Sequence, residues 1–515
     1  MLYAYVNRDN LEYDIYALLK AFYPEEEVNI SVIHDGEAVE ESGRVPSFYD
    51  IRLYSGRVSC AYRDGTDRFA DEGSDNDCSG DDGSAHNGQG NDVYCESEDI
   101  LAPGKSVIKD AMKRCIYRCA SMVSGRTLPW GILTGIRPVK LAMTRINEGD
   151  SDEQICKFLK YRYLMSDVKT DLSIEIAHKE SEILKRIDRY DGYSLYIGIP
   201  FCPTTCLYCS FTSYPIARWK DRVDDYIACI KKELSLVYEL YGGRTPDTIY
   251  IGGGTPTTLT SEQFVDLICY LRELFDLDRV LEFTVEAGRP DSITEEKLRT
   301  LKELGVTRIS INPQTMNEET LKLIGRRHST DDVKKAFDIA RSCGFDNINT
   351  DIILGLPGEN IEHVKHTMEE IKVLDPASLT VHSMAIKRAA GMAEYLRKHE
   401  EIKSINTPEM LDEADRGARN MGMSPYYLYR QKNMAGNFEN VGYARGGYYG
   451  IYNILIMEEV QSILAVGAGT VSKRVYKDGL ITRCDNVKDV DLYMGRIDEM
   501  LDRKRKLFTQ LTAGS

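Results

Sequence analysis

Six short apolar runs rich in β-branched residues recur between residues 193 and 382, and this recurrence limits the fold more than any other feature of the chain. The runs are 193–199, 247–252, 280–286, 307–311, 347–353 and 378–382. Between them lie segments of helical periodicity at 223–241, 261–275, 295–304, 331–343 and 361–374. Strands that alternate with helices pair in parallel, because each helix carries the chain back across the sheet face. Six such repeats predict an α/β domain over 191–390, curled as a partial (β/α)6 barrel. Sites in such sheets lie beyond the carboxyl ends of the strands, so the residues that follow each run are the ones to inspect.

The first run ends in Tyr196-Ile-Gly198-Ile-Pro200. Proline cannot continue a central strand, so a loop begins there. That loop reads Phe-Cys202-Pro-Thr-Thr-Cys206-Leu-Tyr-Cys209. A short loop can turn three thiolates toward one point. Three thiolates can hold three irons of a four-iron, four-sulfur cluster, which leaves the fourth iron open to a small molecule. Four cysteines would suit a closed cluster or a structural zinc site. Ser210 and Phe211 follow Cys209, with no fourth cysteine adjacent. Buried packing thiols and a three-cysteine zinc site with a distant fourth ligand are the alternatives.

Polar residues punctuate the other strand ends. Gly252-Gly253-Gly254-Thr255 follows the second run, and glycine lets bare backbone approach a ligand closely. Glu286 ends the third run, where a carboxylate can accept from a pair of hydroxyls. Gln314 and Arg326 follow the fourth. Asp351 lies in the fifth, before Leu354-Gly355-Leu-Pro-Gly358. A plain turn, a surface ion pair and barrel hydrogen bonding are the bland readings of these residues.

The Tyr-x-x-Ile-Pro-Phe-Cys lead-in and the cysteine spacing resemble the radical S-adenosylmethionine (SAM) superfamily. Within it, the chain is similar to the oxygen-independent coproporphyrinogen III oxidase family, HemZ-type (coproporphyrinogen dehydrogenase-like). The shared wording includes Gly198-Ile-Pro-Phe-Cys-Pro-Thr and Tyr429-Arg-Gln-Lys-Asn-Met-Ala435. The resemblance implies a [4Fe-4S] cluster on Cys202, Cys206 and Cys209. It implies SAM contacts from Gly252, Gly253, Gly254, Thr255 and Glu286. A second SAM would meet Gln314, Arg326, Asp351 and Ala385, while Tyr196 and Tyr208 would flank the cluster and SAM. The implied enzyme is a radical SAM oxidoreductase of porphyrin and haem biosynthesis. It would cleave SAM to an adenosyl radical that takes hydrogen from a propionate of coproporphyrinogen III, leaving a vinyl group.

That chemistry needs an electron donor and an acceptor, neither of which the sequence identifies. A substrate with four propionates calls for cations, and Arg218, Arg326, Arg327, Lys387, Arg388, Arg430 and Lys432 are candidates. Two departures leave another substrate open. Gly198 stands where the oxidase proper has His, and the fourth cysteine after the triad is missing. A haem chaperone on the same fold is a further alternative. Its His-Asn-x-x-Tyr-Trp motif reads Glu439-Asn440-Val-Gly-Tyr443-Ala444 here, without the His and the Trp.

The rest of the chain divides by composition. Residues 1–63 read as a small α/β unit. Residues 64–99 hold twelve acidic residues and one basic, leaving only −5 of the net −16 on the remainder. So little apolar surface predicts a disordered acidic insertion. Its Cys78, His86 and Cys95 are a weak metal set. Residues 100–190 read as a helical connector, with Cys115 and Cys119 one helical turn apart as core. Residues 391–515 read as a mostly helical cap, with short strands at 426–429 and 451–457. The even charge outside the insertion advertises no nucleic-acid surface. No apolar run of eighteen residues predicts a membrane span. Thirteen cysteines without a paired framework point to a reducing cytoplasm, and the chain is expected to be a monomer.

Overall fold

The computed structural model describes residues 1–34, 47–54, 56–63, 84–86, 92–100, 104–135, 137–385, 391–399, 401–430 and 438–509. It divides into two compact units, Met1–Glu175 and Ile176–Ser515.

The first unit is built on a six-stranded sheet. Leu2–Val6 runs parallel to both Val28–Val32 and Phe48–Tyr54, and the remaining pairs are antiparallel. Helices Glu12–Phe22 and Lys105–Ser124 bring Ile15, Leu18, Leu19 and Phe22 together with Met112, Cys115, Ile116 and Cys119 in one core. Cys115 and Cys119 are thus packing residues, donating to the carbonyls of Val58 and Tyr94. The sequence places 92–99 in the disordered insertion; the structure makes Asp92–Asp99 a strand, paired with Arg57–Arg63 in the register Tyr62↔Tyr94. Tyr94 packs on the core and offsets the acidic residues around it. Cys78 and the side chain of His86 lie outside the described residues.

The second unit holds an eleven-stranded sheet. At its centre the strands Tyr193–Ile199, Thr248–Gly253, Glu282–Glu286, Arg308–Ser310, Ile348–Leu354 and Ser378–Ser383 lie side by side in sequence order, all parallel. They curl as the partial barrel the periodicity predicts. Parallel strands covered on both faces usually read as continuous apolar runs; these alternate. Leu195, Ile197, Ile249, Ile251, Phe283, Val285 and Ile309 are buried on one parity. On the other parity, the register aligns Tyr196 with Tyr250, Tyr250 with Thr284 and Thr284 with Arg308. A polar inner face has to be satisfied, and here much of it is, although Arg308 Nε and Ser310 Oγ have no partner among the described residues. Arg308 donates to Ser378 Oγ at 3.1 Å, Ser378 to Asn349 at 2.9 Å, and Asn349 to Asp351 at 2.7 Å.

The C-terminal residues contribute helices, as expected, but also five strands that continue the same sheet. Asn440–Ala444 and Ser424–Tyr429 extend one edge in antiparallel fashion. Ser462–Val466 pairs in parallel with the first barrel strand, followed by Val471–Val475 and Ile481–Asp485. One expected strand is a helix: 451–457 forms Ile451–Glu458. Its apolar run carries no period that distinguishes the two. As a helix it brings Tyr452 onto Tyr250 at 4.5 Å, and Ile451 N onto Glu282 at 2.5 Å. The helix therefore closes the inner face away from the strands' carboxyl ends.

Candidate functional site

The cysteine loop is tied down at both ends and in the middle. After Pro200, Phe201 and Cys202 form a two-residue strand beside Tyr214–Pro215, and Tyr214 N donates to Pro200 O at 2.8 Å. Midway, Leu207 N donates to Ile324 O, and Leu207 O accepts from Met392 N, each at 3.0 Å. Leu207 and Tyr208 pack on Leu321, Ile324, Ile353, Leu356, Met384 and Met392. A tight turn joins Cys209 N to Cys206 O at 3.1 Å. Cys202 and Cys206 are nearly buried and Cys209 is half-buried. All three line one cleft with a cavity volume of about 270 Å³, open at its mouth.

The glycine turn lies against that loop. Gly254 N donates to Ile199 O at 2.8 Å, and Thr255 N to Phe201 O at 2.7 Å. Thr255 Oγ1 is 3.5 Å from Cys202 Sγ. A Cβ on Gly254 would fall 2.6 Å from Phe201 O and 2.9 Å from Cys202 Sγ, both inside any real contact. Gly254→Ala is therefore expected to displace Cys202 and prevent stable iron and sulfide loading, read by metal analysis of anaerobically reconstituted protein.

Glu286 faces the cleft beneath the turn. It accepts from Tyr250 OH at 2.5 Å and from Gly253 N at 3.2 Å. Burial pushes its carboxyl up to about 7, against the lowering effect of the Tyr250 bond, and the Asp351 charge adds to the rise. Burial pushes Asp351 up as well, but its bonds with His382, Asn349 and Thr380 hold it below the ordinary carboxylate value. His382 Nε2 lies 3.8 Å from Asp351 Oδ2, and its Nδ1 is 3.3 Å from Tyr429 OH.

Gln314 is the strained member. Its φ is 72°, a left-handed value that side chains avoid. Bonds from its amide to Asp351 O and from Ile353 N to its carbonyl hold it there. Among the described residues its buried Oε1 has no hydrogen-bond partner. A strained residue with an unmet buried acceptor, lining the cleft, is a candidate ligand position. Arg326 is buried too, donating to Tyr208 OH at 2.7 Å and to Asn312 O at 2.9 Å.

The cleft thus gathers Cys202, Cys206, Cys209, Tyr208, Gly253, Gly254, Thr255, Glu286, Gln314, Arg326, Asp351 and Ala385 from the residues singled out by sequence. Tyr196 and Gly252 do not line it. Tyr196 stacks below on Tyr250 at 6.0 Å and Tyr452 at 6.1 Å. Gly252 leaves room for the Glu286 carboxyl, 3.1 Å from where its Cβ would be. Among the candidate cations only Arg326 lines the cleft; Arg218, Arg327 and Arg430 do not. Lys387, Arg388 and Lys432 lie outside the described residues. Sequence reasoning missed Thr204, Arg289, Asn312, His382, Tyr429 and Asn440, which also line it. The inward parity of the sixth strand, shared with Thr380, was a signal for His382.

Residues 196–371 match the radical SAM superfamily. Over 394 residues, the chain is 43% identical to the oxygen-independent coproporphyrinogen-III oxidase-like protein HemZ of Bacillus subtilis (strain 168), covering 75% of this chain and 78% of that protein. The chain belongs to this HemZ family of radical SAM proteins. Radical SAM proteins imply a [4Fe-4S] cluster and SAM. The heme chaperone HemW of the same organism is 40% identical over 206 residues, 40% of this chain and 54% of that protein. The solved Escherichia coli coproporphyrinogen III oxidase (HemN) superposes with a TM-score of 0.49 at 23% identity, over 62% of this chain and 73% of that one.

The residues present fit a cluster. Three thiol side chains open on one cleft, and a glycine stands where any side chain would strike Cys202. Among the described residues, no three His, Cys, Asp or Glu side chains are grouped as a single-ion site. A cuboidal cluster engages each thiolate through a different iron and needs no such convergence. Among the described residues no helix is long and apolar enough to cross a membrane.

Proposed function

We propose that the chain is a radical SAM oxidoreductase that converts propionates of coproporphyrinogen III to the vinyl groups of protoporphyrinogen IX without oxygen. One observation carries this reading: the cysteine loop, the glycine turn, Glu286, Gln314, Arg326 and Asp351 open on a single cleft at the carboxyl ends of six parallel strands. When bound, the reduced cluster and SAM supply a hydrogen-abstracting radical. Cys202, Cys206 and Cys209 hold three of the irons and leave the fourth position for SAM. Backbone exposed at Gly253 and Gly254 receives its amino group, and Glu286 accepts from its ribose hydroxyls. Gln314, Arg326, Asp351 and Ala385 hold a second SAM. The buried cation Arg326 also serves a propionate carboxylate. Removal of hydrogen from the propionate, loss of carbon dioxide and transfer of one electron to an external acceptor leave the vinyl group. The reaction takes place in a reducing cytoplasm.

Anaerobic incubation of reconstituted protein with coproporphyrinogen III, SAM and a reductant tests the reading. Vinyl product and carbon dioxide are expected. SAM cleavage without either would remove the substrate and keep the radical chemistry. The chaperone reading is disfavoured at the one place where it makes a demand on the chain. Glu439 and Ala444, which replace the motif's His and Trp, are buried, and Ala444 is held in the sheet opposite Ser378.

A pH dependence follows from Glu286. A carboxyl titrating near 7 is an acceptor above that pH and a protonated group below it. SAM affinity should fall through pH 7 toward 6 and level off above 8. Glu286→Gln should bind more weakly and lose that dependence. Equilibrium binding of SAM to the loaded protein measures both.

A further inference from the structure

Cys206 has a neighbour that no part of the proposed chemistry uses. Arg289 is 4% exposed and stands three residues beyond Glu286, where the third strand gives way to the one-turn helix Pro290–Ser292. Asp291 occupies one edge of its guanidinium, with Nε–Oδ1 at 2.9 Å and Nη2–Oδ2 at 2.6 Å. The remaining nitrogen, Nη1, turns to the cysteine loop. It donates to Thr204 O at 2.9 Å, to Thr204 Oγ1 at 2.8 Å and to Cys206 Sγ at 3.8 Å. A bidentate carboxylate clamp fixes a planar guanidinium in direction as well as place. This clamp aims an N–H at sulfur.

We propose that Arg289 is a positioning residue that sets the reduction potential of the cluster through Cys206. The inference rests on the reading of the three cysteines as cluster ligands and adds to it. Hydrogen bonds to ligand sulfur and nearby charge are the levers by which a protein moves such a potential. One-electron reduction adds negative charge to the cluster, and a buried cation beside a ligand favours the more negative state. The charged side chains that act on Arg289 itself are Asp291 and Arg326, with His328 beside them. Burial and the Arg326 charge push His328 down to about 4, so it is neutral near pH 7. Two cations and one anion therefore remain. Of these, Arg289 is the one bonded to a candidate ligand sulfur.

The test is redox potentiometry of anaerobically reconstituted full-length protein, followed by electron paramagnetic resonance (EPR). Arg289→Gln should lower the midpoint by about 59 mV, a tenfold loss in the reduction equilibrium constant for one electron. Arg289→Lys, which keeps the charge, should restore most of it. Asp291→Asn, which removes the opposing charge, should raise the midpoint. A merely structural role would move both Arg289→Gln and Asp291→Asn in one direction or neither. Should Arg289→Gln fail to retain iron, the sign of the Asp291→Asn shift decides. Unmoved midpoints in loaded variants, or a lower midpoint in Asp291→Asn, would overturn the inference and leave the cysteine assignment standing. Wild-type protein without iron and sulfide would overturn both.

Discussion

Cys202→Ala, Cys206→Ala and Cys209→Ala are each expected to abolish iron–sulfide loading and SAM cleavage while leaving the fold in place. The outer partners of metal ligands are worth about 10–100-fold in affinity, so loss of a direct ligand costs more than ~100-fold. The loop itself should survive, because its anchors are backbone bonds: Tyr214 to Pro200, Leu207 to Ile324 and Met392 to Leu207. Three single substitutions that share one phenotype, with unchanged circular dichroism, would separate a cluster site from packing thiols. A variant that still loads a full complement of iron and cleaves SAM would remove its cysteine from the ligand set.

The largest stability effect is expected at the opposite end of the chain. Lys504, on the helix Ile497–Thr509, and Glu233, on Val223–Leu240, form an ion pair with no solvent exposure on either side chain. Lys504 also donates to Asn486 at 2.8 Å. Tyr493 OH at 2.6 Å and Gly467 N at 2.7 Å donate to the Glu233 carboxylate. Lys504→Met leaves that carboxylate buried with neutral partners alone, at a cost of about 3–5 kcal/mol. Pairing it with Glu233→Met should recover part of the loss, since no uncompensated charge remains, while the buried donors Tyr493 OH and Gly467 N lose their acceptor. Urea unfolding of the four-member cycle measures the coupling. The network also touches the first barrel strand: Gly467 packs so closely on Gly198 O that a Cβ would fall 2.5 Å away. Gly198 is two residues before the proline that opens the cysteine loop.

The sites where the fold was legible in the sequence, and where it was not, follow one physical distinction. Period and punctuation are local, so the six strands, their helices and the break at Pro200 were readable. Pairing partners are not local. The run from Ile451 to Met457 is equally apolar in either conformation, and only the acceptor at Glu282 and the stack on Tyr250 make it a helix. Asp92–Asp99 is too acidic to read as a strand until Arg57–Arg63 is beside it. At the site, Glu286, Gln314 and Asp351 stand out by position along or next to a strand end, whereas Ala385 comes only from the family resemblance; all four line the cleft. Tyr196 does not line the cleft, because adjacency in sequence to the cysteines does not give depth in the barrel. His382 was within reach of a parity argument. Arg289 was not, because nothing in Gly288-Arg-Pro-Asp291 says that its side chain returns to the loop after the first strand.

Anaerobic EPR and iron–sulfide analysis of the reconstituted protein, with and without SAM, test the central claim most directly. The account predicts about four irons and four sulfides per chain, as one open four-iron cluster requires. It also predicts a cluster spectrum that changes when SAM is added, because the position the three cysteines leave open is then filled. Protein that holds no iron and sulfide, or a cluster whose spectrum is indifferent to SAM, would contradict it.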